Sequence, residues 1–477
     1  MTHTPTDFTM QVMAAANAGR FSDGLQAAAR MKAARIIPDA PIYDALINLA
    51  ARHRSWLFAW AILDDMLKAG IPPIPATFAH LINAQRDRPF TNLWTALQQM
   101  DNFGINPNGP IYTAIINCLV GEGNVEMAIQ CVFSMKKQGI VPELAAAQAV
   151  VTLAADCGYS RLAIELATYF EDTSVRQLDN SAWMACLYSS ARNLYIEGVM
   201  TCWPRVVNEL NLVPNEGVCL AVLDTAARHG SPDIATDVIR VLKLAGVEWQ
   251  EFHFAALIEA FCRNDQLKEA LITLAIMRTS GILPAETTTS FIFDCINDDV
   301  NSLDSAWSLI DEIYVSKSGL DIEALKVAVH ASIFLGDLQR AVGIYKAFSN
   351  YELAPDLATF NMLLQGCIGA QHRELGDLLL ADMKEAKIKP NEETYRKMIH
   401  LCLTQEVYED AFYYLEEMKA AGYIPPRTVY ETLVDKCASV GDVRGDLVLQ
   451  EMRECGYRLD NTRTQMSRGN RHTGGKR

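Results

Sequence analysis

The chain contains 477 residues, of which 50% are hydrophobic and 21% are charged, and this is ample apolar material for a large core. Its formal net charge of −15 argues against strong non-specific binding to nucleic acid, because phosphate contacts rely on lysine and arginine. The longest apolar run, about Trp56–Leu63, is far shorter than the roughly 20 residues that span a bilayer, so no membrane-spanning segment is expected.

One phrase recurs along the chain and is typical of the junction between two helices. It reads MKKQGIVPELAAA at 135–147, MRTSGILPAETTT at 277–289, MKEAKIKPNEETY at 383–395 and MKAAGYIPPRTVY at 418–430. Its glycine, as at Gly422, suits the left-handed residue that follows a helix C-terminus. Its proline, as at Pro425, cannot continue that helix. The phrase therefore predicts a helix end, a turn and the start of the next helix.

The spacing along the chain predicts a repeat architecture. A position that is often aromatic opens the first helix of each unit, here called helix A, at steps of 34 to 36 residues. These opening positions are Phe8, Tyr43, Phe78, Tyr112, Ala147, Trp183, Cys219, Phe254, Thr289, Leu325, Phe360, Tyr395 and Tyr430. A constant period of this length indicates stacked supersecondary units. We therefore predict an all-α solenoid over residues 1–459, with about 13 helix-turn-helix repeats that start near these positions.

A second recurring position supports the same register. Sixteen residues after the opening position, ten units carry a small residue. These residues are Gly24, Ala59, Ala128, Ala163, Ala235, Ala270, Ser305, Ala341, Gly376 and Ala411. A small side chain there lets the second helix of the unit, helix B, approach helix A closely. Each unit is therefore expected to fold as helix A, a short turn and helix B.

The twelve cysteines include no C-x-x-C pair. Cys367, Cys402 and Cys437 each follow the opening position by seven residues, which places them on the inner face of helix A as small apolar residues. Zinc sites and disulfide frameworks have characteristic cysteine spacings, so we expect no metal, no disulfide and no cofactor. This cysteine usage implies a reducing compartment.

The predicted units differ in regularity along the first half of the chain. Residues 8–146 contain four regular units. Residues 147–253 are less regular, because Leu178 replaces the turn proline and Glu171–Asn180 is a longer polar connection. Pro204 is expected near the start of a helix B, where proline is tolerated. We predict helical hairpins with local distortion in this region.

Regularity returns over residues 254–459, although Thr289 and Leu325 stand at opening positions. The segment 460–477 is basic, glycine-rich and non-periodic, and it is predicted to be a disordered tail. No clear presequence is visible. Residues 8–36 are alanine-rich and basic, and they are either simply the first repeat or also an amphipathic transit segment.

The combination of these features resembles the pentatricopeptide repeat. The features are a period of about 35, an aromatic residue that opens helix A, an alanine in helix B and an M-K-x-x-G-φ-x-P turn, in which φ is apolar. The tetratricopeptide repeat has a period of 34 and a tryptophan-leucine-glycine-tyrosine pattern that is absent here. The resemblance covers nearly the whole chain. It implies a right-handed superhelical solenoid that binds single-stranded RNA in a mitochondrion or plastid.

In that family each repeat contacts about one base, through the residue just after the opening position (the fifth position) and the residue just after the turn proline (the last position). The resemblance assigns base contacts to three polar pairs, Thr9 with Asp39, Ser290 with Asp321, and Asn361 with Asn391. The first two resemble purine-reading pairs and the third a pyrimidine-reading pair. Most other pairs, such as Gln148 with Asp179 and Lys326 with Asp356, fit no readable code.

Five arginines near the ends of helices A are candidate phosphate contacts. They are Arg52, Arg54, Arg192, Arg228 and Arg263. Alternatively, they are solvated surface side chains, and the sequence leaves both interpretations open.

Two functional hypotheses remain. The chain has no phosphate-binding P-loop, no G-x-S-x-G elbow and no dinucleotide fingerprint, so we do not expect an enzyme. The first hypothesis is an organellar single-stranded RNA-binding protein acting in transcript processing, stability or translation. The alternative is a protein-binding helical-repeat scaffold within a ribosomal or RNA-processing assembly. The negative charge and the unreadable pairs favour this alternative.

Overall fold

A computed structural model describes residues 5–174 and 176–457. Over these residues the chain forms twenty-six α-helices and no β-strand, which confirms the predicted all-α helical-repeat architecture. None of these helices is long and apolar enough to cross a lipid bilayer. The predicted tail at 460–477 lies outside the described residues.

The odd-numbered helices are the helices A of successive repeats. They are α1 (Pro5–Asn17), α3 (Ala40–Arg52), α5 (Pro75–Asn83), α7 (Gly109–Gly121), α9 (Leu144–Asp156), α11 (Asn180–Arg192), α13 (Glu216–Arg228), α15 (Glu251–Arg263), α17 (Glu286–Ile296), α19 (Ile322–Phe334), α21 (Leu357–Gly369), α23 (Glu392–Leu403) and α25 (Arg427–Val440).

The even-numbered helices are the helices B. They are α2 (Phe21–Ala33), α4 (Trp56–Lys68), α6 (Phe90–Asn102), α8 (Val125–Lys137), α10 (Ser160–Thr173), α12 (Ile196–Pro204), α14 (Pro232–Leu244), α16 (Leu267–Thr279), α18 (Val300–Val315), α20 (Leu338–Ala347), α22 (Arg373–Glu385), α24 (Asp410–Ala420) and α26 (Arg444–Glu454). A π-helical turn at Arg205–Glu209 follows α12, and a 3-10 turn at Phe348–Tyr351 follows α20.

The chain divides into two compact units. One consists of the described residues within Met1–Ala226 and Asp237–Val247, and the other of the described residues within Ala227–Thr236 and Glu248–Arg477. Within the first unit, α5 packs on the helices A before and after it, α3 and α7. Within the second unit, α21 packs on its own helix B, α22, and on the next helix A, α23. In a helical-repeat fold each repeat packs on the repeats next to it in sequence, and these contacts follow that arrangement.

The opening positions of the repeats form the core. Eleven of the thirteen are buried, and Thr289 and Tyr395 are half-buried. Tyr43 shows how an aromatic residue suits this position, because its ring is buried while its hydroxyl donates a 3.0 Å hydrogen bond to Asp65 on helix B. Burial and this hydrogen bond raise the pKa of Tyr43 to about 12. Tyr430 makes the equivalent hydrogen bond to Glu451, at 2.8 Å.

The small positions are buried in nine of the ten predicted units, and the prediction for Ser305 is wrong. Ser305 is exposed, and Ala306 is buried in its place. The register shifts because α17 ends early, at Ile296, and α18 begins directly after its cap Asp299. The close approach is clearest at Gly376, where an added Cβ atom would collide with the side chain of Leu401 on the next helix A.

The turn phrase has the predicted geometry. Gly139 has a φ of +70°, and Gly422 has a φ of +89°. At the end of α8, the amide of Ile140 donates to the carbonyl of Met135 at 2.9 Å, which satisfies a carbonyl that the helix leaves unpaired. Lys387 occupies the left-handed region, with a φ of +58°, where the phrase at 383–395 lacks glycine.

Pro204 lies at the end of α12 and not near the start of a helix B, so the prediction for this residue is wrong. α12 begins at Ile196, and Pro204 is followed directly by the π-helical turn. Because proline has no amide hydrogen and its ring clashes with the preceding turn, a regular α-helix cannot continue unchanged through it. The wider turn accommodates this, and the amide of Leu210 donates to the carbonyl of Arg205 at 2.9 Å.

Candidate nucleic-acid interface

Polar side chains from neighbouring helices A meet at the first helical turn. The Asn361 amide donates to Asn391 at 3.3 Å, and Lys326 donates to Asp356 at 3.1 Å, both in the second unit. Gln148 donates to Asp179 at 3.2 Å in the first unit. These contacts join the fifth position of one repeat to its last position, about 30 residues later. The structure therefore brings together the two positions that the resemblance assigns to one base.

The last position also caps the next helix A. The sequence pattern alone does not distinguish this capping role from a role in binding. Asp39, Asp321 and Asn391 are the N-cap residues of α3, α19 and α23. The carboxylate of Asp39 accepts from the amide of Ile42 at 3.2 Å. Because aspartate and asparagine are preferred caps, their presence at this position has a sufficient explanation in helix stability alone.

The three predicted base-contact pairs differ in how open they are. Asp39 is exposed, and its partner Thr9 is half-buried. Ser290 is also exposed, but Asp321 is 3% exposed and accepts two hydrogen bonds from Arg278, one of them at 3.0 Å. Asp321 would have to release Arg278 before it could contact a base.

The third pair is enclosed in a hydrogen-bond network. Asn361 is 4% exposed and accepts a 2.8 Å hydrogen bond from the Thr394 hydroxyl. Its backbone carbonyl accepts from Lys397 at 2.9 Å. Only part of the Asn361 and Asn391 amide surface is therefore available to a ligand.

Two other fifth-position side chains have polar atoms without a protein partner. Within the described residues, Asp44 Oδ1 and Thr113 Oγ1 are buried and accept no hydrogen bond. The other Asp44 oxygen lies 3.7 Å from Nε2 of His80. Burial is the main influence on His80 and lowers its pKa, although Asp44 opposes this shift. Buried polar atoms are usually paired, so water or a ligand can serve as the partner of these two atoms.

Sequence reasoning missed a second row of side chains, one helical turn beyond the fifth position. His330, Gln365 and His400 each follow a fifth-position residue by four, so they lie on the same face of helix A. His330 lines a groove of about 460 Å³ with Ser290 and Phe293. Gln365 and His400 line a second groove, of about 330 Å³, with Arg396. Their spacing of four residues from the fifth positions was the sequence signal that could have identified these residues as part of the same helical face.

The five candidate phosphate contacts have different surroundings. Arg52, Arg192, Arg228 and Arg263 are the last residues of α3, α11, α13 and α15. Arg54 pairs with Asp87 at 2.8 Å, and Arg263 pairs with Glu259 at 2.8 Å. The Arg52 guanidinium lies 3.4 Å from the carbonyl of Ala16.

Arg192 lies beside a groove. It is exposed and lines a groove of about 230 Å³ with Asp156, Tyr188 and Asn193. Among the described residues, no carboxylate lies within ion-pair distance of its guanidinium. The Arg192 guanidinium is therefore better placed to receive an external anion than those of Arg54 and Arg263, which are paired with carboxylates.

The cysteines on helix A are core residues, as predicted. Cys367, Cys402 and Cys437 are fully buried. Burial raises the pKa of the Cys367 and Cys402 thiols to about 12, so both stay protonated at neutral pH. In the part of the chain that the structure describes, no three His, Cys, Asp or Glu side chains are grouped so that they could hold a metal ion.

Four repeat profiles match separate stretches of the chain. The profile described as PPR repeat matches residues 41–71, the pentatricopeptide repeat domain matches 95–149, the pentatricopeptide repeat-containing protein profile matches 216–348, and the PPR repeat family matches 355–404. Together these stretches cover more than half of the chain.

Similar curated proteins carry the same repeat. A chloroplastic pentatricopeptide repeat-containing protein of Arabidopsis thaliana is 21% identical over 88% of this chain and 45% of its own length. The mitochondrial 15S rRNA processing factor ppr3 of Schizosaccharomyces japonicus is 27% identical over 27% of this chain and 20% of its own. Mouse mitochondrial pentatricopeptide repeat-containing protein 1 is 26% identical over 31% and 20%. The chain matches less than half the length of each of these relatives.

Solved structures with similar folds include the pentatricopeptide repeat protein PPR10 from maize. It is 16% identical with a TM-score of 0.38, over 96% of this chain and 70% of PPR10. Yeast Rmd9p in complex with a 16-nucleotide target RNA is 12% identical with a TM-score of 0.37, over 94% and 96% of the two chains.

The repeat profiles agree with the sequence period, the turn geometry and the paired helices. The chain belongs to the pentatricopeptide repeat family.

Proposed function

We propose that this chain is an organellar single-stranded RNA-binding protein that acts in transcript processing, stability or translation and has no catalytic activity of its own. The first turns of the helices A would contact the bases. The arginines at the ends of the helices A would contact phosphates. The strand would be held by many weak polar contacts along a preformed surface, as in other single-strand binding proteins.

The observation that carries this proposal is the row of polar fifth-position side chains that meet last-position side chains on neighbouring helices A, and two of the fifth-position side chains also have a buried atom without a protein partner. Asp44 Oδ1 and Thr113 Oγ1 are buried without a hydrogen-bond partner in the described residues, two repeats apart in the same unit. A buried acceptor or hydroxyl without a partner costs about 1–3 kcal/mol, so a ligand that supplies the partner recovers this energy. Nucleobase edges present donors and acceptors at a suitable reach.

The curated relatives support the same function. One of them is named as a mitochondrial rRNA processing factor, and others are named as mitochondrial or chloroplastic proteins. Transfer of RNA processing and of an organellar location to this chain rests on the shared repeat. Thr9, Asp39, Ser290, Asp321, Asn361 and Asn391 remain the candidate base contacts within this proposal, and Asp44 and Thr113 join them.

The chain as a whole is acidic, so its overall charge does not attract RNA. Binding to phosphates therefore depends on individual arginines in this proposal. Arg192 has an exposed guanidinium beside a groove, whereas Arg54 and Arg263 would have to leave Asp87 and Glu259 to bind a phosphate. We therefore expect Arg192 to contribute more to binding than either of these two arginines. The acidic chain attracts RNA weakly overall, and a few arginines make strong phosphate contacts. This is consistent with RNA binding that depends on the RNA sequence more than on charge.

A filter-binding titration with pooled single-stranded RNA tests the proposal. We expect the wild-type chain to bind, and its affinity to fall as the salt concentration rises from about 50 to about 200 mM, because bound phosphates release counterions. Arg192→Glu should weaken binding and reduce the slope of log affinity against log salt by about 1. Arg228→Glu is expected to act in the same direction.

Arg161→Glu provides the matched control. Arg161 is an exposed arginine on α10, a helix B, and it pairs with Glu165 at 2.9 Å within that helix. Its reversal makes the same change in net charge on a helix B instead of a helix A. Equal losses of affinity in Arg161→Glu and Arg192→Glu would contradict a specific role for the helix A face.

A protein-binding scaffold is the second candidate function. The burial of Asp321 under Arg278 and the net charge of −15 favour it, because both disfavour contacts to an RNA strand. In this case the chain would bind a helix or extended peptide within a ribosomal or RNA-processing assembly. No binding to RNA even at the lower salt concentration would reject the RNA-binding proposal in favour of this one.

A further inference from the structure

A half-buried phenylalanine and two exposed aromatic rings gather between two helices A of the second unit. The rings of Phe293 on α17 and His330 on α19 stack, with centroids 4.4 Å apart and an interplanar angle of 24°. Phe334 meets Phe293 edge to face at 5.5 Å and is 65% exposed. The groove beside Phe293 and His330, of about 460 Å³, is here called the Phe293 cleft. Clustered exposed aromatic side chains are typical of a binding surface.

Two donors beside this cleft, Lys326 and Ser290, are already committed. The Lys326 ammonium binds Glu323 at 2.9 Å and Asp356 at 3.1 Å. Burial opposes the positive charge on Lys326, but these two carboxylates outweigh it and keep its pKa above the usual value. The hydroxyl of Ser290 donates to the carbonyl of Thr287 at 2.8 Å.

The acceptors around the cleft remain open. Because the Ser290 hydroxyl donates its hydrogen to the Thr287 carbonyl, only the lone pairs of its oxygen are available to a ligand. The carboxylate of Glu286 also lines the cleft, and among the described residues it has no hydrogen-bond or ion-pair partner. Apart from the His330 imidazole, which carries one N–H donor when neutral, the polar lining of the cleft therefore accepts hydrogen bonds more readily than it donates them.

Partial burial favours the neutral form of the His330 imidazole. Burial lowers its pKa, and this effect outweighs the opposing influence of Glu286. An uncharged imidazole beside a phenyl ring offers a flat surface on which another π-system can stack.

We propose that the Phe293 cleft stacks one unpaired nucleobase and prefers a base with an exocyclic amino group. The rings of Phe293 and His330 supply the stacking surface, and Glu286 and Ser290 accept from the amino group. Carboxylates recognise the amino group of cytosine in this way, whereas uracil would turn its own carbonyl oxygens toward these acceptors. This inference rests on the proposed RNA-binding function and adds Glu286, Phe293 and His330, which lie outside the fifth and last positions, to the fifth-position residue Ser290.

The test begins with RNA sequences that the wild-type chain enriches from a randomised pool. In one enriched sequence, each base is replaced in turn by 2-aminopurine, whose fluorescence is quenched when it stacks. We expect one position to be quenched on binding, and the quenching to be lost in His330→Ala and Phe293→Leu. Loss of one stacked base should weaken binding by about 5- to 150-fold.

His400→Ala is the matched control for His330→Ala. His400 occupies the same repeat position on α23, but no aromatic ring lines its groove. We expect His400→Ala to keep the 2-aminopurine quenching. Thermal melting followed by circular dichroism checks that each variant is folded, and Phe293→Leu retains an apolar side chain in case truncation disturbs packing.

The base preference is tested at the quenched position. Adenine, cytosine or guanine there should bind more tightly than uracil in the wild type, and Glu286→Ala should reduce this difference. Quenching that survives both cleft variants, or uracil that binds as tightly as the other bases, would overturn the inference while RNA binding stands. Failure of the wild type to bind any RNA would overturn both this inference and the proposed function.

Discussion

The middle of the chain and its C-terminal repeats reach the same fold by different means. In α21 and α22 the periodic positions carry their usual residues, and Phe360, Cys367 and Met383 are buried. In the segment from α10 to α12, Leu178 replaces the turn proline and Pro204 ends the α-helix. The helices still pair in this segment. The apolar period therefore determines the helical hairpins, and local signals such as the turn proline are replaceable.

A buried polar network takes the place of the missing turn signals in the middle segment. The Glu171 carboxylate accepts from the indole of Trp183 at 2.9 Å and from the amide of Leu178 at 3.2 Å. It also pairs with Arg205, whose guanidinium lies 4.2 Å from the centre of the Trp183 ring. A carboxylate that fixes three partners orders the loop, but it also makes this segment sensitive to the loss of one charge.

Among the variants that distinguish the middle segment from the C-terminal repeats, Glu171→Ala is expected to cause the largest loss of unfolding free energy. The side chain of Glu171 is 12% exposed, and that of Arg205 is 27% exposed. Removing one partner of a buried pair leaves the other charge uncompensated, which costs about 3 kcal/mol. Urea unfolding followed by circular dichroism measures this loss. Glu165→Ala, which removes an exposed partner of Arg161, should leave the midpoint unchanged, and equal effects would contradict the role assigned to the network.

An intermediate effect is expected from overpacking the small positions of the regular repeats. Ala270 and Ala341 are fully buried, so leucine at either position should destabilise the chain by about 1–3 kcal/mol. Ser305→Leu should have little effect, because Ser305 is exposed, whereas Ala306→Leu should match the other two. Melting temperatures of the four variants check this. A larger loss for Ser305→Leu than for Ala306→Leu would contradict the shifted register of α18.

The smallest expected effect is a change in stability with pH, caused by Asp356, the N-cap residue of α21 in the C-terminal repeats. Burial opposes the ionisation of Asp356, but hydrogen bonds from Thr359 and the charge of Lys326 outweigh burial and lower the Asp356 pKa. The stabilisation is therefore fully present above the unfolded pKa, near 3.8, and is lost as the pH falls through the lower folded value.

Asp356→Asn tests this pH dependence. We expect the wild type to exceed the variant in unfolding free energy at pH 6, and the difference to shrink as the pH falls below the unfolded pKa of Asp356. Urea unfolding at several pH values measures it. A difference that stays constant or grows toward acid pH would contradict the assigned direction.

The sequence was sufficient to predict the helical hairpins, because a repeated apolar position specifies both the period and the buried face. It was not sufficient at Ser305 and Pro204, where the length of a neighbouring helix or loop determines the local register. It was also insufficient for Asp321. The partner of Asp321, Arg278, is 43 residues away on α16, and a contact at that distance does not follow the 35-residue period.

The candidate site was predictable to a similar extent. The fifth and last positions were identified from the resemblance, and the structure brings them together at Asn361 and Asn391. The stacked pair of Phe293 and His330 was not identified, although both residues lie one helical turn beyond a fifth position. Stacking between two side chains from different repeats depends on how those helices pack, and a single repeat does not encode it.

Photocrosslinking tests the central claim, that RNA binds to the helix A face, most directly. The chain is bound to an enriched RNA that carries 4-thiouridine, irradiated and digested, and the crosslinked peptides are identified by mass spectrometry. The account predicts crosslinks in peptides that contain the first two turns of helices A, including α3, α7, α17 and α19. Crosslinks confined to helices B such as α8 and α10, or none at saturating RNA, would contradict it.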